Sequence, residues 1–349
     1  MGVPTNERPG VYSSIEVSSS LTGSGSGRVV GVAAVSAAGA KGVCKRVASY
    51  AEAVSEFGSG CNLTELIRIL FLNGAYAVEA IPAAVNAAAV KADYEAAFAV
   101  LMNKESVKIM VCDSDSAEVH AALKAAIAGA SENCKYRIGI VETGGAVSDA
   151  AARAETLNCE RLVMAYPAEE GSGARKGAVS AALAGAVASG GDPALPMNGA
   201  ELRGTEITKL FSDAEIATLV HAGVTPIECV GGGVSAVRGI TTRTTTAGEQ
   251  DLTWRELTTV LIIDDIIPSV RSALRVKFPR VKNTVQTRGA IRTQVIIELE
   301  SKLKQEIIDD YGSVIVEADA EDPTICIVSF EFTVAHGLNR INLTAHISV

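Results

Sequence analysis

The chain has 349 residues, 48% hydrophobic and 20% charged, which excludes a mainly disordered chain and, at about 150 residues per domain, indicates two packed bodies. The formal net charge of -9 would repel phosphate backbones and anionic lipid heads, so nucleic acid and membrane surfaces are not expected partners. Aromatics make up only 4%, and abundant alanine favours helices packed closely on sheets over an aromatic-lined cofactor cavity.

Residues 1–27 read as an arm. Pro4, Glu7, Arg8 and Pro9 stand where a secretory signal needs an uninterrupted apolar core, so no export is expected. Val11, Ser13, Ile15 and Val17 alternate like a short strand, and the Gly-Ser run from Thr22 to Gly27 is a flexible linker by composition.

From Arg28 to about residue 200, short apolar runs alternate with helical periodicity, the pattern of βαβ units building a mainly parallel, Rossmann-like α/β sheet. Strands are expected at Val29–Val35, Ala77–Ile81, Val107–Cys112, Tyr136–Val141 and Arg161–Ala165. Helices are expected at Asn62–Leu72, Ala92–Met102, Ala117–Ala130, Ser148–Leu157 and Ala174–Ser189, several opened by a capping Asn, Asp or Ser. The most apolar stretch, Ala178 to Gly190, is shorter than the roughly 20 residues of a bilayer span and reads as a buried helix.

After Gly191-Asp-Pro-Ala-Leu-Pro196 the alternation stops, which places a boundary near residue 200 and an α+β domain over 201–338. Phe211–Ala222 reads as helix, Thr225–Val230, Ala236–Thr246 and Thr258–Ile263 as strands, then Asp264–Phe278 and Thr287–Ile308 as amphipathic helices. Strand character returns at Ser313–Glu317, Ile325–Val334 and Asn339–Val349. In the last, residues 339–349, Ile341, Leu343, Ala345, Ile347 and Val349 share one face while Asn342, Thr344, His346 and Ser348 share the other. Such a strand can pair internally or complete the sheet edge of another subunit.

Chemical motifs are sparse. Gly23-Ser-Gly-Ser-Gly27 precedes the first strand, whereas a dinucleotide fingerprint follows one and opens a helix. Gly171-Ser-Gly-Ala-Arg-Lys-Gly177 precedes a helix and offers an anion site at its N-terminus, but no Ser or Thr follows Lys176 as in a P-loop. Gly231-Gly-Gly233 joins two strands as a turn. The four histidines are far apart, with no GxSxG or HExxH, and Asp264-Asp265 reads as helix capping and dipole compensation. Seven cysteines without a CxxC pair read as reduced, mostly buried thiols. One feature departs from the acidic background: Arg271, Arg275, Lys277, Arg280, Lys282, Arg288 and Arg292 form a basic island, a solvated face or a dock for an acidic partner.

Arg8-Pro-Gly-Val-Tyr12 resembles the PGVY signature that opens contractile phage tail sheath proteins. Val237-Arg-Gly-Ile-Thr-Thr-Arg-Thr244, Trp254-Arg-Glu-Leu with the apolar run into Asp264 and Asp265, the Arg271–Phe278 helix and the terminal strands are similar, in that order, to the C-terminal core of that family. The modest length resembles small sheaths of myophages and R-type bacteriocin-like particles. The resemblance implies a structural subunit that needs no cofactor and polymerises with itself as stacked hexameric rings around an inner tail tube protein, with baseplate and tail terminator proteins as further partners. It implies assembly in the bacterial cytoplasm and residence in the released tail. Val11, Tyr12, Ile15 and Val17, with Ile341, Leu343, Ala345 and Ile347, become candidates for inter-subunit strand donation, and Arg271, Arg275, Lys277, Arg280 and Lys282 for tube contact. The competing reading is a nucleotide-dependent α/β enzyme with an oligomerising C-terminal domain.

Overall fold

A computed structural model describes residues 28–171 and 173–339. The first apolar runs form β1 (Val29–Ser36), the short edge strand β2 (Lys45–Val47), and, after helices α1 (Tyr50–Phe57) and α2 (Asn62–Leu72), β3 (Val78–Val85). Helix α3 (Lys91–Met102) and three strand–helix units follow: β4 (Val107–Cys112), α4 (Ala117–Glu132), β5 (Ile138–Glu142), α5 (Val147–Leu157), β6 (Leu162–Tyr166) and α6 (Ala178–Ser189). Helix α7 (Asp213–His221) leads into β7 (Val224–Val230), which turns back into β8 (Gly233–Ala236). Gly231 and Gly232, at φ of 60° and 86°, take the two left-handed positions of that hairpin turn, as its glycines required.

These strands form one eight-stranded sheet in the order β2-β3-β1-β4-β5-β6-β7-β8, parallel except for its two edge strands. The central strands are apolar throughout because both faces are covered. One face packs against α1, α2 and the alanine-rich α6, and the other against α3, α4, α5 and α7. In α6 the residues from Ala178 to Gly185 are all buried, so small side chains let it lie close to α2 and the sheet.

The sheet crosses the boundary expected near residue 200, since β7 and β8 complete it. Of the strand expected over Ala236–Thr246, only its first residue is in β8. The following loop is buried, but its backbone groups bond to scattered partners, Val237 N–H to Pro226 O and Thr242 N–H to Leu162 O, so no ladder forms. The chain then makes a small hairpin, β9 (Thr245–Thr246) and β10 (Glu249–Gln250).

Thr258–Ile263 is helical, a second correction, because α8 runs unbroken over Leu257–Lys277. Leu257, Val260 and Leu261 pack on the sheet body while Ile262, Ile266 and Val270 pack against the C-terminal module. A helix apolar on two sides gives a continuous apolar run that periodicity cannot separate from a buried strand. Asp264 and Asp265 therefore sit inside a helix and are not caps.

Helix α9 (Val285–Lys304) packs beside α8 and ends earlier than expected, because Ile308 already belongs to β11 (Ile308–Tyr311). The expected single strand Ile325–Val334 divides into β13 (Cys326–Ser329), paired with β12 (Ile315–Ala318), and β14 (Phe332–Val334), paired with β11. The cysteines are free, but only Cys112 and Cys159 are buried; Cys134 is exposed and the other four are half-buried, fewer buried than expected.

Candidate functional site

Strand order reverses between β1 and β4, and in a doubly wound sheet a ligand crevice opens there at the carboxyl ends of the strands. Here the crevice is filled by the protein. Asp113, just past β4, accepts from the Val35 N–H at 2.9 Å, the Asn62 amide at 3.1 Å and the Tyr94 hydroxyl at 2.5 Å. Asn62 also donates to the Lys176 carbonyl, which draws the 175–177 segment over the strand ends. Gly177 closes it: its φ is 85°, and a Cβ there would stand 2.9 Å from the Cys112 carbonyl oxygen.

The helix N-terminus after this loop, the one place in the sequence suited to a phosphate, holds an internal carboxylate. Glu142, ending β5, accepts from the Gly177 N–H at 2.6 Å through one oxygen and from Val179 and Ser180 at 2.8 and 2.9 Å through the other. Burial pushes its carboxyl up to about 7, against three N–H bonds that favour the charged form. Glu169 clamps the same loop by accepting from Arg175 and from the Glu206 N–H. An anion entering this site would have to displace Glu142. His120 is buried with Nε2 2.8 Å from the Ser114 carbonyl, burial pushes it down to about 4, so it is neutral at pH 7, and its Nδ1 has no hydrogen-bond partner among the described residues. Among the described residues no group of three or more His, Cys, Asp or Glu is arranged to hold a metal.

The basic island is not one face. Arg271 points to the Cys134 carbonyl and the Tyr136 hydroxyl, and Arg275 lines the same region. Lys277 instead reaches Gln294 on α9, while Arg280 and Lys282 stand exposed in the turn between the helices. Arg288 donates to Asn283, and Arg292 to the Val314 carbonyl, so both serve the module's own structure. Around the turn Val276, Val281 and Val285 are 75%, 53% and 77% exposed, an apolar patch among lysines and arginines.

Asp264 and Asp265 have partners that local reading missed. Asp264 takes a two-pronged ion pair from Arg161 on the β5–β6 side of the body, both bonds 2.8 Å, and Asp265 pairs with Lys302 of α9 at 2.5 Å. Glu142 and Asp113 were also missed. Their signal was a carboxylate closing each apolar strand run. The proposed strand-donating residues, Val11, Tyr12, Ile15, Val17, Ile341, Leu343, Ala345 and Ile347, lie outside the described residues.

Fold and site together define an α/β protein with a filled ligand crevice and a C-terminal helix-hairpin module. Residues 87–242 match the phage tail sheath protein central domain, and residues 249–348 the phage tail sheath C-terminal domain. The chain belongs to the phage tail sheath protein family. It is 30% identical over 259 residues to a tail sheath protein of Bacillus phage SP01, an alignment covering 70% of this chain and 44% of that protein, so the chain spans under half of this relative's length. Among solved structures it is similar to a chain of the anti-feeding prophage baseplate (TM-score 0.72, 14% identity, 99% of this chain and 100% of that one). The sheath tail protein of Desulfitobacterium hafniense (0.72, 10%, 93% and 100%) and the contracted helical sheath of the anti-feeding prophage (0.69, 16%, 98% and 100%) share the fold as well.

Proposed function

We propose that this chain is the subunit of a contractile tail sheath, polymerising as stacked hexameric rings around an inner tube and contracting to drive the tube through a target envelope. The observation that carries this reading is the pair of two-stranded sheets in the C-terminal module. Each of β11–β14 and β12–β13 has only one paired edge per strand among the described residues, and two strands alone are marginally stable in water. Ile315, Ile325 and Ile327 are 46%, 49% and 46% exposed around the second pair, so an added strand would gain both backbone bonds and apolar cover. Val11 to Val17 and Ile341 to Ile347, from neighbouring subunits, are the strands offered. The subunit assembles in the bacterial cytoplasm with tube, baseplate and terminator proteins and functions in the released tail.

Negative-stain microscopy of the purified chain is expected to show tubes or rings. Deleting Met1–Ser20, or Asn342–Val349, is expected to abolish them while leaving the circular dichroism and melting of the body unchanged. Ordered tubes from either truncation would sink strand donation.

We propose the α8–α9 turn as the tube contact, with Lys277, Arg280 and Lys282 around Val276, Val281 and Val285. Reversing those three charges to Glu is expected to lower co-assembly with the tube protein at least tenfold with self-assembly retained. Equal loss of both would remove the assignment.

A further inference from the structure

The parallel strands begin at the end of the sheet opposite Glu142, and there α8 crosses below β4 and β5. Two adjoining cavities of about 230 and 300 Å³ lie in this cleft, sharing Lys108, Cys134, Tyr136 and Pro268. Among the described residues five cations line them: Arg28, Lys108, Lys135, Arg137 and Arg275. Of the lining acids among the described residues, Asp264 and Asp265 are already paired with Arg161 and Lys302, which leaves exposed Glu105. Arg137 is buried without a carboxylate within ion-pair distance among the described residues, held by the carbonyls of Val107 and Lys104. The Tyr136 ring is flanked by Arg161 at 4.8 Å and Arg271 at 5.7 Å. Low-dielectric walls focus this positive field, in a chain whose net charge is -9.

The opposite charge is equally concentrated elsewhere. The β12–β13 hairpin carries Glu317, Asp319, Glu321 and Asp322, with no Lys or Arg from Ser313 to Val334. Asp319 accepts from the Glu321 and Asp322 N–H groups, and Asn283 donates to the Pro323 and Ile325 carbonyls, so the turn is held in shape before it binds anything. Docking a preformed turn costs little ordering entropy. Within one chain the two features are not joined: Asn283 ties the hairpin beyond the C-terminal end of α8, and among the described residues neither Glu317 nor Glu321 forms an ion pair with Lys108, Lys135 or Arg275.

We propose that this cleft receives the acidic β12–β13 turn of a second copy of the chain. Glu317 and Glu321 supply the carboxylates, and Lys108, Lys135 and Arg275 meet them. Because donor and receptor are different surfaces, the contact is head-to-tail and propagates into a ring or a helix. The inference rests on the self-assembly proposed above and adds one contact to it, independent of the arms.

Cys134 provides the test, since its exposed thiol lines both cavities. In Glu321→Cys, mild oxidation is expected to give a ladder of disulfide-linked multimers, with peptide mapping joining Cys134 to position 321; Glu321→Cys/Cys134→Ser is expected to give none. Lys108→Glu/Lys135→Glu and Glu317→Lys/Glu321→Lys are each expected to reduce sedimenting polymer at least tenfold, and mixing the two variants, or combining all four changes in one chain, to restore it. Polymers visible by microscopy without a Cys134-dependent crosslink, or a swap that restores nothing, would overturn the contact while leaving the sheath reading standing. A chain giving neither polymers nor crosslinks would overturn both.

Discussion

Glu142→Ala is expected to lower the unfolding free energy of the sheet body by roughly 3–5 kcal/mol. It leaves three buried N–H groups, of Gly177, Val179 and Ser180, facing no acceptor at the start of α6. Each unsatisfied buried donor costs about 1–3 kcal/mol, discounted here because water can enter the space left by the side chain. Glu142→Gln separates charge from shape: its amide oxygen can serve one side, but its NH2 group then confronts an N–H on the other. The pH dependence has a definite sign. Glu142 titrates in the folded protein near 7, above the ordinary 4.5 of a glutamate, so the folded state binds the proton more tightly. Its contribution to stability is therefore full below about pH 4.5 and declines as pH rises through about 7. Urea unfolding followed by the single tryptophan, Trp254, measured from pH 4.5 to 8, is expected to show this decline as the difference between the wild-type chain and the Gln variant. Parallel curves would mean that Glu142 is not held as the geometry requires.

What the sequence disclosed and what it hid divide along the range of the interactions. β4 and α2 end where apolar runs and helical periodicity say they should, because strand burial and helix amphipathy are local patterns. The Gly231-Gly232 turn is legible for the same reason. Asp264 was opaque because its partner Arg161 is 103 residues away, and no local rule makes an aspartate in mid-helix more than a misplaced cap. The apolar run at Thr258–Ile263 misled because α8 is buried on two sides at once. β13 and β14 read as one strand since only their partners, β12 and β11, reveal the break at Phe330-Glu331. The anion-site motif was legible as geometry but not as chemistry: a helix N-terminus was correctly placed, and the carboxylate that occupies it comes from a strand 35 residues earlier.

Asp264→Ala is expected to cost about 3–5 kcal/mol, because it strands a guanidinium rather than merely removing a bond. Arg161 is only 9% exposed, its other hydrogen bond and ring contact among the described residues, to the Arg137 carbonyl and the Tyr136 ring, are uncharged, and the nearby Glu160 carboxylate is paired with Arg243. Burial alone would lower its pKa, but the hydrogen bonds and charge of Asp264 outweigh that and hold it up. Replacing both partners, Arg161→Leu/Asp264→Leu, is expected to recover most of the loss, since two apolar side chains need no counterion. The single and double variants also differ in what they report. The pair joins α8 to the base of the sheet, and α8 carries the C-terminal module, so Asp264→Ala should loosen the module before the body unfolds. Hydrogen exchange is expected to rise first in α8 and α9 and only later in β4 to β6, while in the double variant all elements stay protected together. A single variant within about 1 kcal/mol of wild type, with uniform exchange, would show that the apolar seam of Leu257, Val260 and Leu261 alone fastens α8 to the sheet.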